Sequence, residues 1–125
     1  MNMKVNPYLS FNGNCAEAVV LYEKAFNVKA KIEMNEQAKH LVGHAEFEIG
    51  GDSIMLYDAA ETVIVGNNIM ITIRFDEHEL AEARAAFDTL KADGQVIMEL
   101  AETSWSKCFG LLVDKFGIQW NMCQN

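Results

Sequence analysis

Three groups of residues in this sequence have types and spacings that chemistry uses. His44 and Glu46 stand two apart beside an alternating apolar series, Ala45, Phe47 and Ile49. In a strand that spacing puts His44, Glu46 and Glu48 on one face, so His44 is a candidate base with Glu46 as its orienting carboxylate. The plainer account is a partly solvated polar sheet face, which antiparallel sheets commonly keep, and it is taken as the default. Arg74 stands at an even position of a second alternating run, Ile69–Phe75, where its neighbours on that parity are Met70 and Thr72. A guanidinium facing inward there either clamps a carboxylate or phosphonate bidentately or forms a salt bridge to an acid such as Glu46 or Glu48. Trp105, in a short segment ahead of the sixth or seventh strand, is a candidate pocket wall or lid.

Other reactive types are read as inert or structural. Cys108 has no visible base or cation to lower its pKa. His78 falls near the start of a helix and is expected to be exposed and incidental. His40 stands four before His44, but in a polar hairpin rather than on a helix face. Trp120 has the apolar parity of the last strand and is expected in the core. Met34, Met55, Met70, Met98 and Met122 are read as strand residues filling apolar space. No phosphate loop, GxSxG, HExxH or glycine-rich dinucleotide fingerprint occurs.

Composition narrows the partners. The 125 residues carry a formal net charge of −8, half of them are apolar, and no basic run occurs. A nucleic-acid backbone or an anionic membrane would be repelled, so neither is expected as a partner. The apolar content suffices for a core. The three cysteines, Cys15, Cys108 and Cys123, form no CxxC pair. Without an export signal or a run long enough to span a bilayer, they point to reduced thiols and a cytoplasmic location.

The elements that must position these residues repeat. Val5–Phe11 alternates apolar odd positions with mostly polar even ones, and Ile69–Phe75 does the same 64 residues later. Each run leads through a polar turn into a helix. The first carries Ala16, Val19, Val20, Leu21, Tyr22, Ala25 and Phe26 at helical spacing, with Asn14 as N-cap. The second opens near Asp76-Glu77 and carries Leu80, Ala83, Phe87 and Leu90, with Gly94 after its end. Three short strands follow in each half. Ile32–Met34 answers to Val96–Met98, and Ala45, Phe47 and Ile49 answer to Phe109, Leu111 and Val113 at spacing 64. Turns at Gly50-Gly51 and Asp114–Gly117 lead to Ile54/Leu56 and Ile118/Trp120.

The expected fold is therefore α+β: two tandem βαβββ modules forming curved, mainly antiparallel sheets with helices on the outer face. One domain is expected, residues 1–125, made of halves at about 1–58 and 67–125 joined by a linker over 59–66.

This order, with particular segments, resembles the vicinal oxygen chelate superfamily of glyoxalase I, extradiol dioxygenases and bleomycin-binding resistance proteins. The segments are Asn6–Cys15 (NPYLSFNGNC), Ala18–Phe26 (AVVLYEKAF), Gly43-His44-Ala45, Gly50–Met55, Ala101–Trp105 (AETSW), Phe109–Gly117 (FGLLVDKFG) and Trp120. They are similar to the PhnB-like branch over essentially the whole chain.

The resemblance implies that metal-dependent relatives hold a divalent ion with one ligand from the first and one from the last strand of each half, usually His, Glu or Gln. Strand parity identifies the matching positions as Asn6, Tyr8, Ser10, Met55 and Tyr57 in the first half. In the second they are Met70, Thr72, Arg74, Gln119 and Asn121. Amides, hydroxyls, a thioether and a guanidinium suit a transition metal poorly. No metal and no cofactor are expected, and the pocket residues implied are Tyr8, Ser10, Arg74, Trp105 and Asn121. The expected function is binding of a small organic molecule, with an anionic one as the case Arg74 would suit, by a homodimer. The alternatives are a divalent-metal-dependent lyase, isomerase or dioxygenase recruiting His44 or Glu46, and a protein-interaction module.

Overall fold

The computed structural model describes residues 2–125, which divide into one unit running to Ile64 and a second from Val65 to Asn125. The first contains β1 (Tyr8–Phe11), α1 (Cys15–Phe26), β2 (Lys31–Met34), β3 (Val42–Ile49) and β4 (Asp52–Asp58). The second contains β5 (Ile71–Phe75), a 3-10 turn (Glu77–Glu79), α2 (Leu80–Leu90), β6 (Gln95–Ala101), β7 (Phe109–Val113) and β8 (Gln119–Gln124). The strand orders are β1-β4-β3-β2 and β5-β8-β7-β6. In each sheet the first pair is parallel and the other two are antiparallel. The βαβββ order and the α+β class are as the repeat implied.

Both first strands are shorter than their alternation. Val5 is 97% exposed and Ile69 is 79% exposed, so pairing begins only at Tyr8 and Ile71. Asn6 and Met70 consequently lie outside the strands. An apolar residue holds a strand only where a helix or neighbouring strand covers it. Within the paired segments the parity holds. Phe11 and Phe75 are buried, while Tyr8, Thr72 and Arg74 are exposed.

In the first unit α1 lays Ala18, Val19, Tyr22 and Ala25 on the sheet face formed by Phe11, Ala45, Phe47, Ile54 and Leu56, all buried. The Tyr22 and Phe26 rings lie 6.0 and 6.2 Å from the Phe47 ring. Each large side chain so covered contributes roughly 1.5–3 kcal/mol. Val20 falls off this stripe and is exposed. The helix N-terminus is not held by Asn14, whose side chain makes no capping bond. Asp58, at the end of β4, does this instead. Its Oδ1 accepts from the Gly13 and Cys15 N–H groups at 2.8 and 3.0 Å, and its Oδ2 from Val42 N–H at 2.9 Å. A carboxylate reaching three donors on two elements outcompetes a neutral local amide.

In the second unit α2 covers Gly110, Leu112, Trp120 and Met122 with Ala83, Ala86, Phe87 and Leu90. Its opening is preceded by the 3-10 turn, where Asp76 N–H donates to Glu79 Oε1 at 2.9 Å. Trp120 is in the core as expected, fully buried, with its indole N–H donated to Asp114 Oδ2 at 2.9 Å.

The inward face of β7 is not the one the spacing of 64 implied. Gly110 and Leu112 are buried against the helix, whereas Phe109, Leu111 and Val113 are half-buried on the opposite face. Two residues, Gly50 and Gly51, join Ile49 to its partner Asp52, but five, 114–118, join Val113 to its partner Gln119. The difference is odd, and side chains alternate with period two, so the register of β7 against the first half shifts and its faces exchange. Gly110 then becomes obligatory: an added Cβ would lie 2.8 Å from Phe87 Cε2 and 3.0 Å from Leu100 Cα.

Candidate functional site

On the first sheet, the face away from α1 is built by register. Tyr8, Met55, Glu46 and Lys31 are successive partners across all four strands, while Ser10 pairs with Tyr57 and Glu33 with His44. Cross-strand partners share a face, so the strand parity that exposes Tyr8 also brings it to His44. The Tyr8 hydroxyl lies 2.9 Å from His44 Nδ1, and His44 Nε2 lies 3.3 Å from Glu46 Oε1.

The protons in this chain follow from its ends. An ionised Glu46 only accepts, so His44 Nε2 carries the proton and a neutral imidazole leaves Nδ1 as acceptor. Tyr8 O–H therefore donates to Nδ1. Both ring nitrogens are engaged within the protein, and the group presented outward is the Tyr8 phenol, 49% exposed. Tyr57 packs edge-on against Tyr8 at 4.9 Å between ring centroids, and the His44 ring lies at 5.5 Å on a T-shaped approach. Sequence reasoning paired His44 with Glu46 and named Tyr8 apart from them. It placed Tyr57 on the right face without weighting it, although its parity with Met55 was readable.

A hollow of about 350 Å³ is lined by Val28, Lys29, Lys31, Glu46, Phe47 and Glu48. It shares Glu46 with the hydrogen-bonded chain, but neither Tyr8 nor His44 lines it. Its lysines and glutamates alternate in sign, which favours solvation over a specific anion.

In the second unit, Thr72, Asn121, Leu111 and Met98 form one row across four strands, and Arg74, Cys123, Phe109 and Ala101 form the next. Arg74 is exposed. Among the described residues no salt bridge is formed by Arg74 within its own unit. Asn121 is only 5% exposed, and its side-chain N–H groups donate to Gly110 O at 2.9 Å and Met122 O at 3.2 Å. Its amide nitrogen is thus taken up by its own sheet. Trp105 lies in the loop before β7, edge-on to Phe109 at 5.4 Å. Ser10 is half-buried beside Tyr57.

The cysteines are quiet. All three are free. Burial, with the Asp58 carboxylate adding to it, pushes the Cys15 thiol up to about 12. Burial also raises Cys108, opposed in part by Arg84. Neither has thiolate character at neutral pH.

The donor set does not fit the divalent ion of the metal-dependent relatives. In the first unit the open-face residues of β1 and β4 are two phenols, Tyr8 and Tyr57, a hydroxyl, Ser10, and a thioether, Met55. In the second, those of β5 and β8 are Thr72, Arg74, Asn121 and the structure's own addition, Cys123, with Gln119 donating to Ile69 O at 2.8 Å. Asn6, outside its strand, donates to Ser53 O at 3.2 Å. None is the imidazole or carboxylate such an ion prefers. Asp76, His78 and Glu79 bring ligand atoms within 4.8 Å of one another. That cluster is the exposed entry to α2, where Glu79 caps Asp76 N–H and Asp76 Oδ1 accepts from Asn125.

Similarity to known proteins agrees with this architecture. A family model described as 3-demethylubiquinone-9 3-methyltransferase matches residues 3–123. Protein YjdN of Escherichia coli K12 is 31% identical over 137 aligned residues, covering 94% of this chain and 92% of that protein. A PhnB protein from Bacillus cereus superposes with a TM-score of 0.81 at 25% identity, covering 98% of this chain and 100% of the other. Protein PA1353 from Pseudomonas aeruginosa gives 0.79 at 27%, covering 99% and 98%. The fosfomycin resistance protein FosX of Listeria monocytogenes, solved with Mn(II) and a dihydroxypropylphosphonic acid, gives 0.70 at 11% over 98% and 92%, a likeness of fold alone.

Proposed function

We propose, since this chain belongs to the 3-demethylubiquinone-9 3-methyltransferase family and is a PhnB-like member of the vicinal oxygen chelate superfamily, that it binds a small organic molecule on the first sheet's open face without a divalent metal. The observation that carries this reading is the Tyr8–His44–Glu46 chain, at 2.9 and 3.3 Å. It presents one polarised phenol between an aromatic wall, Tyr57, and the hydroxyl of Ser10. A bound polar group meets the Tyr8 oxygen, and His44 accepts or returns the phenol proton while Glu46 holds its orientation and stabilises the imidazolium. Such a chain supports tight, oriented binding and is also the acid–base equipment a proton-transfer reaction requires. The methyl transfer in the family's description is not carried over to this site.

The reading favours a metal-independent site because an ion at His44 must displace Tyr8 or Glu46 from a ring nitrogen. The three free thiols, with no helix among the described residues long and apolar enough to cross a membrane, support the reducing cytoplasm as its setting. A homodimer is proposed for the assembled protein, and sedimentation tests it.

The test is a metabolite screen on protein stripped with EDTA, read by NMR at Tyr8, His44 and Tyr57, followed by calorimetry with Mn, Ni and Zn. The expected result is saturable binding of a small molecule without metal, weakened about tenfold, roughly 1.4 kcal/mol, in Tyr8→Phe. A tight equimolar ion, or binding that needs one, overturns the proposal.

A further inference from the structure

The second unit's open face differs chemically from the first. Arg74 stands where the spacing of 64 puts Ser10 in the first half, and its row continues through Cys123 to Phe109. Strands lie about 4.8 Å apart, so Arg74 and Phe109 are separated by roughly 10 Å of backbone, which the long arginine stem partly spans. Between them lies the small, uncharged Cys123, leaving a floor that competes for neither end of a ligand.

The Trp105 indole stands edge-on to Phe109 and remains 64% exposed. Its loop is nonetheless well fixed. Thr103 Oγ1 accepts from Trp105 N–H at 3.3 Å and from Ser106 N–H at 3.1 Å, and Thr103 N–H donates to Ser106 O at 2.9 Å. Ser106 Oγ donates to Cys108 O at 3.0 Å and approaches Gln124 O at 3.4 Å, tying the loop to β8 beside Cys123. An exposed indole on a backbone held in this way offers a stacking surface, since little loop entropy is lost when a ring covers it.

We propose that this face binds an aromatic carboxylate, with its ring against Trp105 and Phe109 and its anionic group on the Arg74 guanidinium. The proposal rests on the small-molecule reading above, to which it adds a ligand class and a second place of binding. Charge argues for an anion: in a chain of net charge −8, Arg74 has no carboxylate partner among the described residues, so a ligand acid need not displace one. The separation argues for a ring and an acid joined by a short linker rather than a bare anion.

The test titrates 3-phenylpropionate and indole-3-acetate into ¹⁵N-labelled protein, with 3-phenylpropan-1-ol and propionate as probes lacking one of the two groups. Saturable shifts are expected at the Trp105 indole N–H and the Arg74 guanidinium. Affinity should be at least tenfold weaker for either incomplete probe, and should fall at least tenfold in both Arg74→Met and Trp105→Ala. Arg74→Lys should retain part of it. The buried Trp120 indole serves as the folding control in every variant. Equal affinity for acid and alcohol, unchanged affinity in Arg74→Met, or no saturable shift at Trp105 overturns the assignment. Shifts confined to Tyr8, His44 and Tyr57 overturn it too, while leaving the first-unit reading intact.

Discussion

Tyr8 and His44 are 36 residues apart in sequence, yet the phenol oxygen and the imidazole Nδ1 are 2.9 Å apart. Two ladders produce that contact. The parallel pairing of β1 with β4 and the antiparallel pairing of β4 with β3 align Tyr8, Met55 and Glu46 in one row, and His44 stands two residues before Glu46 on the same face. The imidazole is consequently the middle link, and the phenol is the exposed end of the chain.

That proton arrangement has a direct spectroscopic consequence. Neutral His44 should populate the Nε2–H tautomer, with Nδ1 unprotonated in long-range ¹H–¹⁵N spectra. Glu46→Ala should weaken that preference, and Tyr8→Phe, which removes the O–H donated to Nδ1, should weaken it less. A dominant Nδ1–H tautomer in the intact protein would contradict the direction of both hydrogen bonds. Either substitution should alter stability by only about 0.5–1.5 kcal/mol, because the groups are partly exposed.

Asp58 is the tertiary cap of α1, so its removal should be expensive. Asp58→Ala leaves the Gly13, Cys15 and Val42 donors without their acceptor and should destabilise the protein by about 3–5 kcal/mol in urea denaturation. Asn14→Ala should change stability by less than about 0.5 kcal/mol, since that side chain makes no capping bond. Comparable losses from the two substitutions would return the cap to Asn14.

Cys15 sets an alkaline limit. Its folded thiol is raised from the ordinary 9.0 to about 12, so the folded state holds a proton that the unfolded chain releases. The sign follows: stability is unaffected by this group below about pH 9 and falls as pH rises from 9 toward 12, by at most about 1.4 kcal/mol per pH unit. Cys15→Ala should flatten that slope in unfolding measured across this range. An unchanged slope would assign the alkaline loss to other groups.

Gly110 tests the exchanged faces of β7. Gly110→Ala should cost about 1–3 kcal/mol, because the new methyl meets Phe87 and the Leu100 backbone. Gly43→Ala, whose nearest contacts would lie at 3.4 Å, should cost less. If both were equally mild, Gly110 would not face α2.

Much of the organisation was legible beforehand because it is local. Period-two runs ending in Phe11 and Phe75, helical stripes through Val19, Tyr22, Phe87 and Leu90, and the Gly50-Gly51 turn all follow from short-range sterics and burial. Their repetition at 64 residues was enough to give the β-α-β-β-β succession of each half, while the order of strands within each sheet came from the structure. The exact start of β1 and β5 was not legible, since alternation at Val5 and Ile69 continues past the point where a partner strand covers it.

By itself the sequence determined the βαβββ pairs, the helix-facing residues of most strands, and the residue types available on the open faces. Tertiary structure alone decided how those residues are used. Five turn residues in place of two exchanged the faces of β7, Asp58 displaced Asn14 as the cap, and Asn121 gave its amide N–H groups to its own sheet. The reason is common to all three: periodicity reports which way a side chain points along one strand. A hydrogen bond or a register is chosen by what another segment, tens of residues away, brings within about 3 Å.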